Sequence, residues 1–459
     1  MDEKYDRSTV GPQDIDTDDN ASSIPKQKVE EDDKDFDSWK GWVVVMASSC
    51  ILFIYLGIVY SWGVLETELV NTTSFSLTTM TFVGSLATSF MVSIGFLVGM
   101  LIRKIGYRRT ACIGAFFMGL GEFLASWVTD NLVGLFICHS VVFGVGGGLT
   151  ILPCSTVPLR WFRKHRGLAT GVVFGGGSLG AAIMSVATNL LVAEVGAAWT
   201  FRIFGILLWA ICLPAGFVIR QPNHAKATVP ELQWYAVASK IKLFKYGRSH
   251  ADRSNNLNRF RFKERKFLVL FIGSGLGCFP LFVPSYFIPI FARVVASQRV
   301  AIIILAFWNI ASTVGRVGGG FLADTALGPL NSLVLSLFLA GVSSLVIWPF
   351  ASSIAVLSVF IVINGIGCGA FFSLIPTTVG SMFGAQNALG ILPLLWLGWF
   401  FGYFFGSPIA AGLYSLADKN AGISAYRPAA YYTGAMSIVG MLIIIAVRCM
   451  CSRKFMTRV

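Results

Sequence analysis

Charged side chains are scarce in this sequence of 459 residues. Asp, Glu, Lys and Arg together make up 13% of it, whereas a typical soluble domain is about 25% charged. Hydrophobic residues account for 55%. A soluble protein of this length needs many more polar residues to cover its surface. The shortage of charge therefore excludes an ordinary soluble protein and predicts a polytopic membrane protein whose exterior faces lipid.

Histidines and closely spaced cysteine pairs are also in short supply. The sequence has four histidines and nine cysteines, and no two cysteines have CxxC spacing. These patterns exclude a disulfide framework and the usual zinc-binding motifs. We therefore expect the protein to need no metal ion and no cofactor.

Acidic residues are rare beyond the N-terminus. Residues 1–40 hold 13 of the 23 acidic residues and 6 of the 36 basic ones, so the rest of the chain has 10 acidic and 30 basic residues. The basic residues form short clusters between long apolar runs, which is typical of the cytoplasmic loops of membrane proteins. This arrangement argues against nucleic-acid binding, which needs a continuous basic surface.

Twelve apolar segments follow the acidic N-terminus, and each is about long enough to cross a bilayer as a helix. They are placed near residues 41–64, 77–102, 110–128, 131–155, 168–191, 200–220, 267–291, 300–323, 330–350, 354–378, 389–415 and 431–449. The basic clusters at 103–109, 160–166 and 220–266 are assigned to the cytosol, so both termini are predicted to be cytoplasmic. The plasma membrane is the expected location, with an internal membrane such as that of the vacuole left open. Asn71 in Asn-Thr-Thr then lies outside and is a candidate glycosylation site.

A basic segment separates the first six apolar runs from the last six, and the two sets are related. Displacing the sequence by 221 residues aligns Gly99 with Gly320 and Leu168 with Leu389. One unbroken offset across distant regions indicates a duplicated six-helix unit. The predicted domains are a disordered acidic cytoplasmic tail (1–38), an N-terminal six-helix lobe (39–220), a basic cytoplasmic linker (221–266), a C-terminal six-helix lobe (267–450) and a short cytoplasmic tail (451–459).

The stretch RWFRKHRGLATGVVFGGGSLG (160–180) places a basic cluster beside closely spaced glycines. Gly171 and Gly175 are four residues apart, as are Gly176 and Gly180, so each pair lies on one face of a helix. Small residues with this spacing let a second helix approach closely, which suits helices that rock between two states. The segment also matches the GxSxG pattern of hydrolases, but a membrane helix lacks the strand-turn-helix that this motif needs. We therefore predict that the protein is not an enzyme.

Three stretches resemble the major facilitator superfamily and, more narrowly, the fungal branch of its monocarboxylate transporter-like family. Residues 37–49 (DSWKGWVVVMASS) resemble the beginning of that family's first helix, and residues 160–180 resemble the signature at its fifth helix. Residues 315–324 (GRVGGGFLAD) resemble the superfamily's loop motif, with Gly320 and Asp324 in place. The resemblance spans residues 37–450. It implies an all-α membrane fold of twelve helices in two six-helix lobes.

The sequence departs from this family at positions linked to proton coupling. Tyr60 stands where proton-linked members carry a lysine, and Ser312 stands where they carry an aspartate, while their arginine is kept as Arg316. Arg103 occupies the position of the superfamily's usual aspartate in the first half. The resemblance therefore implies recognition of an anion and leaves proton coupling open.

Arg316 is the first candidate for substrate binding. It lies eight residues before Asp324, which corresponds to about 12 Å along a helix at 1.5 Å per residue. A charge at that depth in a membrane indicates function by default, and a guanidinium can hold a carboxylate through two parallel hydrogen bonds. A tie to backbone carbonyls of a neighbouring helix is the alternative. The resemblance adds a central cavity whose walls are expected to include Tyr60, Tyr286 and Asn364.

Glu122 and His139 are further ionisable residues at membrane depth and are candidates for proton coupling. The alternatives are a carboxylate at the outer membrane interface for Glu122 and a packing role for His139. Trp396 and Trp399 are expected to face lipid.

Taken together, the sequence predicts a secondary transporter that moves a small organic anion, a monocarboxylate in the first instance, by alternating access. Both a symporter and a uniporter fit. The alternatives are export of an acidic secondary metabolite, uptake of a vitamin such as riboflavin, and a nutrient sensor that binds without transport.

Overall fold

The computed structural model describes residues 36–222, 255–295, 298–417 and 419–452. Within these ranges the chain forms helices joined by turns, and no strand. The predicted acidic tail up to residue 35, residues 223–254 of the predicted linker and residues 453–459 lie outside the described residues.

The main helices follow one another with short connections. In chain order they are α1 (Trp39–Thr72), α2 (Leu77–Ser93), α3 (Gly95–Ile105), α4 (Tyr107–Ala125), α5 (Leu132–Trp161), α6 (Arg166–Val218), α7 (Asn255–Cys278), α8 (Val283–Val295), α9 (Gln298–Thr325), α10 (Pro329–Phe350), α11 (Ile354–Phe383), α12 (Ala388–Ser415) and α13 (Arg427–Cys451).

Eight of the described helices are long and apolar enough to cross a membrane, and the pair α2 and α3, bent by 48°, brings the number to nine if counted as one span. Helix α6 has 53 residues, whereas about 20 suffice to cross a bilayer. Its backbone is broken at Gly196, where φ is +76°. The all-helical membrane fold is confirmed, and the count of twelve spans stays a prediction.

Glycine, proline and capping residues set several helix ends. Gly106, with φ at +85°, ends α3, a backbone conformation that glycine adopts without steric cost. The side chain of Asn131 accepts a hydrogen bond from the backbone N–H of Gly134 at the start of α5, as N-cap residues do. Near Pro280 the chain leaves α7, which ends at Cys278, and resumes as α8 at Val283, because proline removes a backbone donor that a continuous helix needs.

Helix α6 is central to the packing because it contacts α1 on one side and α9 on the other. We refer to α1–α6 with their connections as the N-terminal half and to α7–α13 as the C-terminal half, so α6 and α9 join the two halves. The end of the bundle that carries residues 103–109 and 160–166 is called the basic end.

Candidate functional site

Two glycine faces of α6 allow it to touch both neighbouring helices. A Cβ atom at Gly171 would lie 2.5 Å from the carbonyl oxygen of Arg316 on α9, and one at Gly175 would lie 3.1 Å from Val317 Cγ2. Cβ atoms at Gly176 and Gly180 would lie 2.6 and 1.9 Å from carbonyl oxygens of α1. The first pair therefore packs against the opposite half, and the second pair packs within its own half.

One close contact between the halves lies at the basic end, where Gly320 of α9 meets Gly167 of α6. A Cβ atom at Gly320 would lie 2.1 Å from the Gly167 carbonyl oxygen. Beside this contact, the carboxylate of Asp324 accepts hydrogen bonds of 2.8 Å from the backbone N–H groups of Gly167 and Leu168. Backbone N–H groups in the first turn of a helix have no carbonyl partner within that helix, and the helix dipole favours an anion at this end. Asp324 thus holds the halves together at the basic end.

A small cavity of about 20 Å³ lies between the two halves, farther along the same helices. That volume is about enough for one water molecule. Six lining residues come from the N-terminal half and five from the C-terminal half: Leu56, Tyr60, Met91, Val92, Ile151 and Phe174, then Arg316, Phe372, Trp396, Trp399 and Tyr403. The wall is therefore mostly aromatic and aliphatic.

Arg316 is the only charged residue in this wall. It is 3% exposed, and its Nη1 donates a 2.7 Å hydrogen bond to the backbone carbonyl of Phe174 in the opposite half. Its guanidinium carbon lies 5.2 Å from the ring centre of Phe372. The buried Nε has no hydrogen-bond partner in the described part of the chain. The position of Arg316 is therefore compatible with both roles considered from the sequence. It ties two helices together, and it also lines the cavity where a substrate could bind.

Tyr60 lies in the cavity wall, as the resemblance implies, but two other predicted wall residues do not. Tyr286 is 45% exposed. Asn364 is fully buried in the C-terminal half, where its Oδ1 accepts from Trp308 Nε1 at 3.0 Å. The Nδ2 of Asn364 donates to Ser343 and Ser344 at 3.1 Å. Its amide is thus committed to helix packing.

The expectation that Trp396 and Trp399 face lipid is wrong. They are 2% and 4% exposed and form part of the cavity wall. Helix α12 is apolar all round its surface, so its sequence pattern carries no sign of which face meets the other half. Their indole N–H groups are buried without a partner among the described residues, which leaves two donors next to Arg316.

Glu122 and His139 form a buried hydrogen-bonded pair outside the cavity. His139 Nδ1 lies 2.8 Å from Glu122 Oε1, and the two side chains are 2% and 0% exposed. Neither side chain is therefore exposed at the surface of the bundle, and an interfacial position of Glu122 stays an alternative. The His139 ring stacks on Trp62, with 4.1 Å between ring centres. A π-helical stretch of α5, Phe136–Phe143, carries His139, and such stretches are frequent at functional sites.

The connection between α4 and α5 is a sequence signal for this pair. The two helices are joined by a short turn around residues 126–131, and Glu122 lies four residues before it and His139 eight residues after it. Antiparallel helices joined by a short turn pack against each other near that turn, so both residues lie in the paired part of the two helices. Asn71, the glycosylation candidate, is exposed in the last turn of α1.

The bundle, its glycine contacts between halves and its enclosed central cavity are those of a membrane transporter. The model of the Major Facilitator Superfamily matches residues 47–388, so the chain belongs to that superfamily, whose members are transporters and not enzymes. The narrower assignment to the monocarboxylate transporter-like family is not confirmed and stays a prediction.

Curated relatives agree with the superfamily, and a solved structure agrees with the fold. "MFS-type transporter 1" of Ophiocordyceps sp. (strain BCC 1869) is 26% identical over 89% of this chain and 85% of its own length. "Agnestins efflux protein AgnL12" of Paecilomyces divaricatus is 25% identical over 72% of this chain and 71% of its own length. The crystal structure of the transporter FucP in the outward conformation superposes with a TM-score of 0.65. It is 14% identical and covers 89% of this chain and 99% of FucP, so it supports the fold alone.

Proposed function

We propose that this transporter moves an organic acid with an apolar or aromatic body, and that Arg316 binds its carboxylate. The observation that carries the proposal is the cavity wall, in which one buried guanidinium stands among aromatic and aliphatic side chains. An aromatic wall binds apolar surface, and a desolvated guanidinium pairs strongly with a carboxylate. A very small acid such as lactate would use the arginine and leave most of the aromatic wall without contacts.

The same composition favours one of the alternatives left open by the sequence, the export of an acidic secondary metabolite. Such metabolites are commonly larger and more apolar than the monocarboxylates of central metabolism. The name of the Paecilomyces relative, an agnestins efflux protein, supports export as the direction. A small monocarboxylate is the second candidate, favoured by the small volume of the cavity, about 20 Å³, in the closed arrangement.

The way in which the halves meet supports a mechanism of alternating access. The Asp324 carboxylate and the Gly167–Gly320 contact close the basic end, which the positive-inside rule assigns to the cytosol. Opening this end requires α6 and α9 to separate. Substrate from the cytosol would then reach Arg316, and reclosure would return the protein to the arrangement described here.

Flux into proteoliposomes tests the role of Arg316 with paired substrates, an aromatic carboxylic acid and its neutral methyl ester. Because a hydrogen bond to a charged group contributes about 1.5–3 kcal/mol, Arg316→Gln should lower acid flux at least tenfold and spare ester flux. Lactate flux measured alongside decides between the two substrate classes.

A second buried arginine offers a matched control. Arg448 is 2% exposed and its Nε donates to Asn331 Oδ1 at 2.8 Å, but it does not line the cavity. Arg448→Lys should leave the ratio of acid to ester flux unchanged, whereas Arg316→Lys should lower it. Equal loss of both fluxes in a folded Arg316 variant would mean that the residue serves closure and not substrate binding.

We further propose that transport is coupled to protons through the Glu122–His139 pair. Two ionisable side chains 2.8 Å apart and out of contact with solvent can share and release one proton as a unit. A proton gradient should then drive accumulation of the acid, and Glu122→Gln should abolish this dependence while flux down the substrate gradient continues. Flux in the unmodified protein that ignores the pH gradient would remove the role from both residues.

A further inference from the structure

A second pocket, of about 520 Å³, lies at the basic end where the two halves meet. Four cationic side chains line it: Arg163, Lys164, Arg166 and Lys266. Its wall includes one carboxylate among the described residues, that of Asp324, and this group already accepts two backbone N–H hydrogen bonds from α6. The pocket therefore combines a strong excess of positive charge with a concave shape.

We propose that this pocket binds a phosphate-bearing anion that carries at least two negative charges. Its volume lies within the range of small-molecule sites, about 300–1,000 Å³. Arginine and lysine are the side chains that bind phosphate groups, arginine through paired hydrogen bonds and lysine as a compact charge. The positive-inside rule accounts for basic residues at this end of the protein. It does not account for cations from both halves lining one concave pocket.

The four cationic side chains come from both halves of the protein, so an anion bound among them would affect how the halves move. Arg163 and Lys164 precede α6 and Arg166 is its first residue, so these three belong to the N-terminal half, whereas Lys266 lies on α7 in the C-terminal half. An anion in contact with both sets bridges the halves next to the Asp324 contact. Separation of α6 from α9 divides the pocket, so the anion stabilises the closed basic end and slows its opening.

The same chemistry is available from two sources, the headgroup of a phosphorylated lipid in the adjacent leaflet or a soluble phosphate compound. Full-length protein in detergent with inositol trisphosphate represents the soluble source. Nanodiscs of phosphatidylcholine, with and without phosphatidylinositol bisphosphate, represent the lipid. The rate of maleimide labelling reports occupancy, because Cys451 lies in the pocket wall whereas Cys449 is exposed outside it.

Occupancy should slow labelling of Cys451 at least threefold, leave Cys449 unchanged and raise the midpoint of thermal unfolding. Because hydrogen bonds to charged groups are strong, Lys164→Gln and Lys266→Gln should each weaken binding by about tenfold. Lys104→Gln is the matched control, since it removes the same charge from an exposed position at the same end but outside the pocket.

The readouts do not depend on transport, so they stand apart from the substrate proposal. Protection by both probes identifies a site open to soluble phosphates, and protection by the lipid nanodiscs alone identifies a headgroup site. Absence of protection by either probe overturns the proposal. Equal weakening by Lys104→Gln also overturns it, because the effect would then come from the general charge of this end.

Discussion

Replacing Gly320 by alanine should open the basic end. The new Cβ would lie 2.1 Å from the carbonyl oxygen of Gly167, whereas ordinary contacts begin at 3.4 Å, so the two backbones must separate by about 1.3 Å. The positions of the new Cβ and of the Gly167 carbonyl oxygen are both fixed by the backbone, so neither atom can move away by a side-chain rotation. A shift of this size lengthens the two hydrogen bonds that Asp324 accepts, from 2.8 Å to roughly 4 Å, beyond the limit for a hydrogen bond.

The energetic cost can be set from those two bonds. A hydrogen bond to a charged group contributes about 1.5–3 kcal/mol, and we take the lower value for each because Asp324 is only half-buried. Loss of both therefore costs about 3 kcal/mol and moves the equilibrium between closed and open basic ends by roughly a hundredfold.

Gly318 provides the control on the same helix. A Cβ atom there meets nothing within 4 Å, so Gly318→Ala adds the same methyl group and the same gain in helix propensity without a clash. Spin labels at Lys104→Cys and Thr325→Cys, both exposed at the basic end, report the distance between halves once the native cysteines have been replaced. The distance distribution should shift to longer values in Gly320→Ala alone. An unchanged distribution, or an equal shift in Gly318→Ala, would refute the reasoning.

Three further predictions follow from contacts described above. Glu122→Ala and His139→Ala should each lower the midpoint of thermal unfolding in detergent. The double variant should lose at least about 1 kcal/mol less unfolding free energy than the two single variants together, since the effects of residues in contact are not additive. Strict additivity would show that the pair does not form. Asn364→Leu should destabilise the protein by about 1–3 kcal/mol through its unpaired neighbours and leave the KM for transport unchanged, whereas a changed KM would return this residue to the substrate site. Asp37 accepts hydrogen bonds from the backbone N–H groups of residues 163–165, so Asp37→Ala should speed tryptic cleavage after Arg163, and a cleavage rate equal to that of the unmodified protein would count against this contact.

The membrane fold could be predicted from the sequence because it depends on composition and on local motifs. A chain that is 13% charged has too few polar residues for a soluble surface, and the stretch 315–324 carries the superfamily motif. Helix ends were less predictable. The segment predicted at 41–64 continues to Thr72, because a helix that leaves the membrane can extend through polar residues without any change in backbone hydrogen bonding.

The candidate site could be predicted only for residues whose position within an apolar segment is itself unusual. Arg316 stood out because a charge within an apolar segment is rare, and the structure places it in the cavity. Asn364 and Trp396 illustrate the opposite case. Both lie in helices that are apolar on every side, so the sequence does not show which face meets a neighbouring helix, and only the packed bundle places the amide inward and the indole in the cavity wall.

The hydrogen bond from Arg316 to the Phe174 carbonyl bears on the return of the unloaded carrier. An ion left bare in a low-dielectric interior is costly, and a transporter with such an ion could reset only with cargo aboard. Here a peptide oxygen of α6 accepts a hydrogen bond from the Arg316 guanidinium, so this charge has a partner within the protein itself. Under the proposal that Arg316 binds the substrate's carboxylate, the acid and this oxygen compete for one side chain, and loading is then coupled to the loosening of α6 from α9.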